Sequence, residues 1–200
     1  MGEAVAGGGD LAAPPAAPLI LASTSPRRRQ ILEQLRIPFD VVAPAYEETE
    51  GDPVAHALGK ARSVADGAGD RPVLGCDTEV LCGGRVYGKP ETEAAAEEML
   101  DSLGGRTHEV VSGLALLTPA WEEVHREVTR VTFRPLDARE LAHYVGSGEW
   151  EGRAGGYAIQ GLGASLVERI EGDYLNVVGL PAARLVQVLA TRFAGVYGFG

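Results

Sequence analysis

The stretch Leu19-Ile-Leu-Ala-Ser23-Thr-Ser25-Pro26-Arg27-Arg28-Arg29-Gln-Ile31-Leu32-Glu-Gln-Leu35 constrains this chain most, because it reads as a buried strand running straight into an amphipathic helix. Ser25 is a favoured N-cap, Pro26 suits the first helical position, and Ile31, Leu32 and Leu35 share one helical face. A helix N-terminus presents unpaired N–H groups and the positive end of the helix dipole, so cations are disfavoured there. Three arginines in that first turn are either solvated surface or, with Ser23 and Ser25, a phosphate-binding turn. The second reading gives the arginines a reason to be there and is the one adopted.

Charge limits what the anion is. The 200 residues carry 28 acidic and 18 basic side chains, a formal charge of -10, so a broad electrostatic footprint for nucleic acid is missing. A polyanion must be small and held locally. With 45% hydrophobic residues the chain can bury one sizeable core. No apolar run approaches a membrane span, and no basic region followed by a hydrophobic one opens the chain; a cytoplasmic protein without a membrane partner is expected. Cys76 and Cys82, if both lie on one strand, are about 20 Å apart and outside disulfide reach. His56, His108, His125 and His143 are scattered, without zinc spacing, and read as surface or packing residues.

Residues 1–18 are rich in Ala, Gly and Pro and read as a flexible leader, 19–193 as the folded domain, and 194–200 as a frayed tail. Pro38–Ala43 is a second strand, Tyr46–Asp52 an acidic loop, and Pro53 opens a helix with Lys60 off its apolar face. Arg71–Cys82 is a long apolar strand that Gly83-Gly84 turns back as a hairpin through Lys89. That strand carries Asp77. An ionised Asp among Val, Leu and Cys must sit at the strand end, pair with a cation or bind a metal, which makes it the most informative single residue. Glu91–Leu103 is a helix turning Ala95, Met99, Leu100 and Leu103 inward; Glu109–Leu117 and Trp121–Phe133 are antiparallel strands, the second half-exposed; Asp137 and Glu140 open another helix with a capping box. Gly148–Gly161 holds five glycines in fourteen residues mixed with Trp, Tyr, Ile and Gln, which suits a binding loop better than a linker. Leu166–Ile170 is a strand, Asp173–Asn176 a polar turn, and Leu180–Phe193 the last helix.

Carboxylates combined with Lys and Arg, without a Cys or His cluster, suit Mg²⁺ or Mn²⁺ and a phosphorylated substrate. The chemistry this points to is phosphoanhydride hydrolysis. Ser23-Thr-Ser25-Pro26-Arg27-Arg28, Glu48-Thr49, Lys60-Ala61, Gly75-Cys-Asp77-Thr78, Gly88-Lys89-Pro90, Gly105-Arg106-Thr107-His108, Ala154–Gly161 and Asn176-Val-Val-Gly-Leu-Pro181 together resemble the Maf family of nucleoside triphosphate pyrophosphatases, historically called septum-formation inhibitors. The resemblance covers about residues 19–193, with the motifs in family order.

This resemblance implies a mixed-sheet α/β fold similar to the inosine-triphosphatase architecture, two lobes flanking a nucleotide cleft, a homodimer, and cleavage between the α and β phosphates. It implies a proton acceptor at Asp77, phosphate and metal residues at Ser23, Ser25, Arg28, Glu48, Lys60 and Lys89, with a divalent cation on Glu48 and Asp77, and base-sorting residues at Arg27, Thr78 and Gln160. The Arg, Thr, Gln set resembles the dTTP/UTP branch; Gln160 offers a donor and an acceptor to the imide edge of thymine or uracil. Two positions depart from the pattern: Glu79 stands where an apolar residue is usual, and Arg153 replaces a frequent lysine. The alternatives are a pyrophosphatase for modified nucleotides such as 7-methyl-GTP, and a non-catalytic nucleotide-binding regulator of cell division with an unknown division partner.

Overall fold

In the computed structural model, which describes residues 17–48 and 52–200, the opening stretch folds as strand β1 (Leu19–Leu21) leading through a short turn into helix α1 (Pro26–Gln34). Residues 1–16 of the expected leader, and Thr49, Glu50 and Gly51 of the acidic loop, lie outside the described residues. Then follow β2 (Phe39–Val41), α2 (Pro53–Ala65), β3 (Val73–Cys82), β4 (Arg85–Tyr87), α3 (Glu93–Leu103), β5 (Thr107–Thr118), β6 (Trp121–Phe133), α4 (Ala138–Val145), β7 (Val167–Glu171), α5 (Tyr174–Val178) and α6 (Ala182–Arg192). Short 3₁₀ turns at Ala154–Gly156 and Leu162–Leu166 interrupt the glycine-rich segment and its continuation.

Among the described residues, one mixed sheet of seven strands runs in the order β2-β1-β3-β5-β6-β7, with β4 paired to β3. β1 is parallel to β2 and β3, and the β3–β5, β5–β6 and β6–β7 pairs are antiparallel. Because side chains alternate along a strand, consecutive residues go to opposite faces. Leu19, Leu21, Leu74, Cys76, Leu114 and Leu116 join the large core, while Ile20, Val73, Ala115 and Leu117 join a smaller one formed with Ala57 and Ala61 of α2. Each fully buried leucine contributes about 1.5–3 kcal/mol relative to exposure.

Helix α2 lies unusually close to the sheet, and two glycines allow it. A Cβ on Gly75 would fall 2.0 Å from the Ala57 carbonyl oxygen, and one on Gly113 2.1 Å from the Pro53 carbonyl oxygen. Gly113 lies directly across the ladder from Asp77, which places Asp77 on the α2 face of the sheet, in phase with Gly75 and Glu79.

Several local expectations shift. Helix α3 starts at Glu93 behind a Thr92 cap, and Ala96, spaced i, i+4, i+7 with Leu100 and Leu103, is buried with them rather than Ala95. Asp173–Asn176 is not a free turn: Asp173 caps α5 by accepting from the Leu175 N–H at 2.8 Å, and Asn176 is fully buried. Of the histidines read as surface or packing residues, His56 and His108 are the buried, packing ones. The tail is folded back rather than frayed, because Tyr197 buries its ring against Phe193 and donates its hydroxyl to the Ala17 carbonyl at 3.0 Å.

Candidate active site

A cleft of about 690 Å³ opens over the turn after β1 and the middle of β3. The turn between β1 and α1 lines it with Ser23, Ser25, Arg27 and Arg28; the segment before α2 supplies Glu48; α2 supplies Lys60; β3 supplies Asp77 and Thr78; and Lys89 follows β4. The glycine-rich segment closes the remaining wall with Gln160. All ten residues singled out from the sequence meet here, although 133 positions separate Arg27 from Gln160.

At the centre is a buried ammonium. Lys60 is 6% exposed, and its Nζ lies 2.5 Å from Asp77 Oδ1 and 2.5 Å from Glu48 Oε1. Asp77 is 7% exposed, a position a carboxylate holds only with such a partner. Pairing with a lysine and facing the cleft are thus both true of it. The Lys60 hydrogen bond holds the Glu48 carboxyl below its ordinary range, helped by the charges of Lys60, Lys89 and His56 and opposed by burial. The backbone leading to Glu48 is fixed by Tyr46, whose ring covers Gly59 and whose hydroxyl lies 3.3 Å from His56 Nδ1. Glu79 also lines the cleft; burial, and then the Asp77 charge, push its carboxyl up.

Arg28 turns inward rather than standing free. Its Nε donates to the Gly179 carbonyl at 2.9 Å, Nη1 to Ser23 Oγ at 3.1 Å and Nη2 to Thr78 Oγ1 at 3.4 Å. Thr78 Oγ1 in turn lies 2.8 Å from the fully buried Ser112 Oγ. One guanidinium thereby ties the phosphate-type turn to β3 and to the end of α5, and puts its charge at the cleft floor. Ser25 occupies the N-cap, yet its hydroxyl makes no cap bond; its N–H donates to Ser23 Oγ at 3.2 Å instead. Arg27 reaches across to the Gly152 carbonyl at 3.5 Å, and Lys89 and Gln160 are exposed to the cleft.

Sequence reasoning did not single out Glu149, Ser112, Tyr46, His56 or the Gly179 carbonyl. Ser112 and Gly179 carry no chemical signature in one dimension, since their role comes from which atoms the fold sets beside Arg28. Among the described residues, Glu149 is one of four carboxylates that line the cleft, with Glu48, Asp77 and Glu79, facing Arg27, Arg28, Lys60, Lys89 and Arg153. Five cations thus line this cleft in a chain whose total charge is strongly negative. For a divalent cation, the oxygens of Glu48 and Asp77 converge on one cationic centre, now Lys60, and are the hard donors Mg²⁺ or Mn²⁺ takes. Among the described residues there is no group of three or more His, Cys, Asp or Glu able to hold a metal. Such an ion therefore needs water and substrate oxygens to complete its shell, which is the usual state of Mg²⁺.

A family model described as Maf-like protein matches residues 18–192. The chain belongs to the Maf-like protein family. Among curated relatives, a protein of Halalkalibacterium halodurans called dTTP/UTP pyrophosphatase is 46% identical over 188 residues, covering 88% of this chain and 99% of that one. Proteins of the same name from Moorella thermoacetica and Deinococcus radiodurans are 47% and 45% identical, covering 90% and 91% of this chain and 97% and 95% of their own lengths. The Maf-like chain has, among its described residues, no helix long and apolar enough to cross a membrane.

Proposed function

We propose that this chain is a nucleoside triphosphate pyrophosphatase favouring dTTP and UTP, which it cleaves between the α and β phosphates to nucleoside monophosphate and pyrophosphate. The observation that carries this reading is the buried Asp77–Lys60 pair, joined by the exposed Glu48 carboxylate, in a cleft floored by the Ser23–Arg28 turn. Water attacks the α phosphorus, the bond to the α–β bridging oxygen breaks, and that oxygen leaves with pyrophosphate. Asp77 accepts the proton that the water loses. Lys60, Lys89 and the Arg28 charge offset the negative charge that builds on the leaving oxygens, in a site that partly excludes water. Glu48 and Asp77 would hold a divalent cation, which polarises phosphate oxygens when bound. Gln160 reads the imide edge of the base, and the neighbouring glycines let the ring approach the backbone. A cytoplasmic setting suits Cys76 and Cys82, both buried and unbridged.

The test is release of monophosphate and pyrophosphate with Mg²⁺ over dTTP, UTP, CTP, GTP, ATP and 7-methyl-GTP, wild type beside Asp77→Asn. Turnover led by dTTP and UTP and lost in the variant, with nucleotide binding retained, is expected. Binding without turnover in the wild type would overturn the reading in favour of a non-catalytic regulator.

A further inference from the structure

Glu149 is a carboxylate in the wall of a cleft that takes a polyanion, a placement that repels the ligand unless the residue has another task. Among the described residues it makes no ion pair. Its oxygens instead accept two backbone N–H groups: Oε1 from Leu162 at 2.9 Å and Oε2 from Gly163 at 3.2 Å. Between these amides and Gln160 sits Gly161, where a Cβ would fall 2.4 Å from Glu149 Oε1 and 2.5 Å from Oε2. The carboxylate fills the place that a side chain would take.

Both ends of this contact are anchored. On the Glu149 side, the N–H donates to Ser147 Oγ at 3.2 Å, and the next residue, Trp150, is buried and donates Nε1 to the Val145 carbonyl at 3.0 Å. On the loop side, the Tyr144 hydroxyl accepts the Ala158 N–H at 3.0 Å. Gln160 therefore stands between two fixed points, Ala158 on Tyr144 and Leu162-Gly163 on Glu149.

We propose that Glu149 is a positioning residue for base recognition: its doubly accepting carboxylate braces the Ala158–Gly163 backbone so that the Gln160 amide is held ready in the cleft. This rests on the reading of Gln160 as the group that meets the base. A brace of this kind is worth most to the substrate whose base makes the Gln160 hydrogen bonds, because a pre-ordered side chain loses less freedom on binding. Gly161 belongs to the same device, since any side chain there displaces the carboxylate.

Kinetics of wild type, Glu149→Ala, Glu149→Gln, Gly161→Ala, Gln160→Ala and the Glu149→Ala/Gln160→Ala double variant on dTTP, UTP, CTP and GTP test this. Amide hydrogen exchange at Leu162 and Gly163 is read alongside. Glu149→Ala should lower kcat/KM for dTTP and UTP about tenfold, chiefly through KM, and leave CTP and GTP within about twofold. Gly161→Ala should reproduce it, Glu149→Gln should fall between, and the double variant should be no worse than Gln160→Ala alone. Exchange at both amides should quicken in Glu149→Ala. An equal loss on all four substrates, additive effects in the double variant, or unchanged exchange with the dTTP and UTP preference intact would overturn the role. A wild type without that preference would overturn the functional reading and this role with it.

Discussion

Gly75→Ala probes how the reactive cluster is assembled. The added Cβ would stand 2.0 Å from the Ala57 carbonyl oxygen and 2.9 Å from Ala61 Cβ, so it falls about 1.4 Å short of ordinary contact, which begins near 3.4 Å. Both neighbours belong to α2, and the nearer one is backbone, so the helix must lift or the strand must bend. Overpacking of this kind costs about 1–3 kcal/mol. Lys60 lies one turn from Ala57 on the same helix, and its 2.5 Å contact with Asp77 would not survive a shift of that size. A misplacement of about 1 Å costs on the order of a hundredfold in rate. Urea unfolding should therefore show a loss of about 1–3 kcal/mol, and pyrophosphate release from dTTP should fall about a hundredfold. Wild-type stability together with wild-type turnover would refute the idea that the seating of α2 sets the Lys60–Asp77 pair.

Gln160→Ala should narrow the preference for dTTP and UTP over CTP by about 1–3 kcal/mol, measured as a ratio of kcat/KM; an unchanged ranking would remove Gln160 from base recognition. Arg28→Lys keeps the charge but cannot reach Gly179, Ser23 and Thr78 at once, so it should cost about 1–3 kcal/mol in thermal unfolding and lower turnover; full activity would show the three bonds to be dispensable. His108 is buried and held neutral, its pKa lowered to about 4 by burial, so the unfolded chain binds more protons than the folded one between pH 4 and 6.5. Its neutral burial therefore stabilises the fold fully above about pH 6.5, and roughly 3 kcal/mol of that is lost as pH falls to about 4. His108→Phe should flatten that part of the pH–stability curve while costing about 1–3 kcal/mol at pH 7, because the buried Tyr157 hydroxyl, 2.9 Å from His108 Nε2, loses its partner. Urea unfolding at pH 7 and pH 4 checks both, and an equally steep curve in the variant would place the titration elsewhere.

Much of this protein was legible in one dimension. Local chemistry writes β1, the Ser25-Pro26 start of α1, the Gly83-Gly84 hairpin and the Asp137–Glu140 capping box into adjacent residues, and all four are in the structure. The residue types of the cleft were legible for the same reason: a carboxylate in an apolar strand and arginines at a helix N-terminus both conflict with their surroundings until a partner is supplied. Helix phase was less secure: Ala96, at i, i+4, i+7 with Leu100 and Leu103, is the buried alanine of α3 rather than Ala95. Segment 194–200 read as a frayed tail, and the packing of Tyr197 on Phe193 came only from the way the tail folds back.

What the sequence determined was therefore the inventory: which side chains could hold phosphate, accept a proton or read a base. The tertiary structure decided which of them spend their hydrogen bonds on the protein and which keep them for a ligand. Arg28, singled out as a phosphate contact, is committed to Gly179, Ser23 and Thr78, whereas Gln160 stays exposed to the cleft on a loop held by Tyr144 and Glu149. The physical reason is that a hydrogen bond depends on distances of a few tenths of an ångström between atoms that the chain separates by many residues. The close approach of α2 to Gly75 and Gly113 sets the distances around Lys60 and Asp77, and the Gly179 carbonyl after α5 sets those around Arg28.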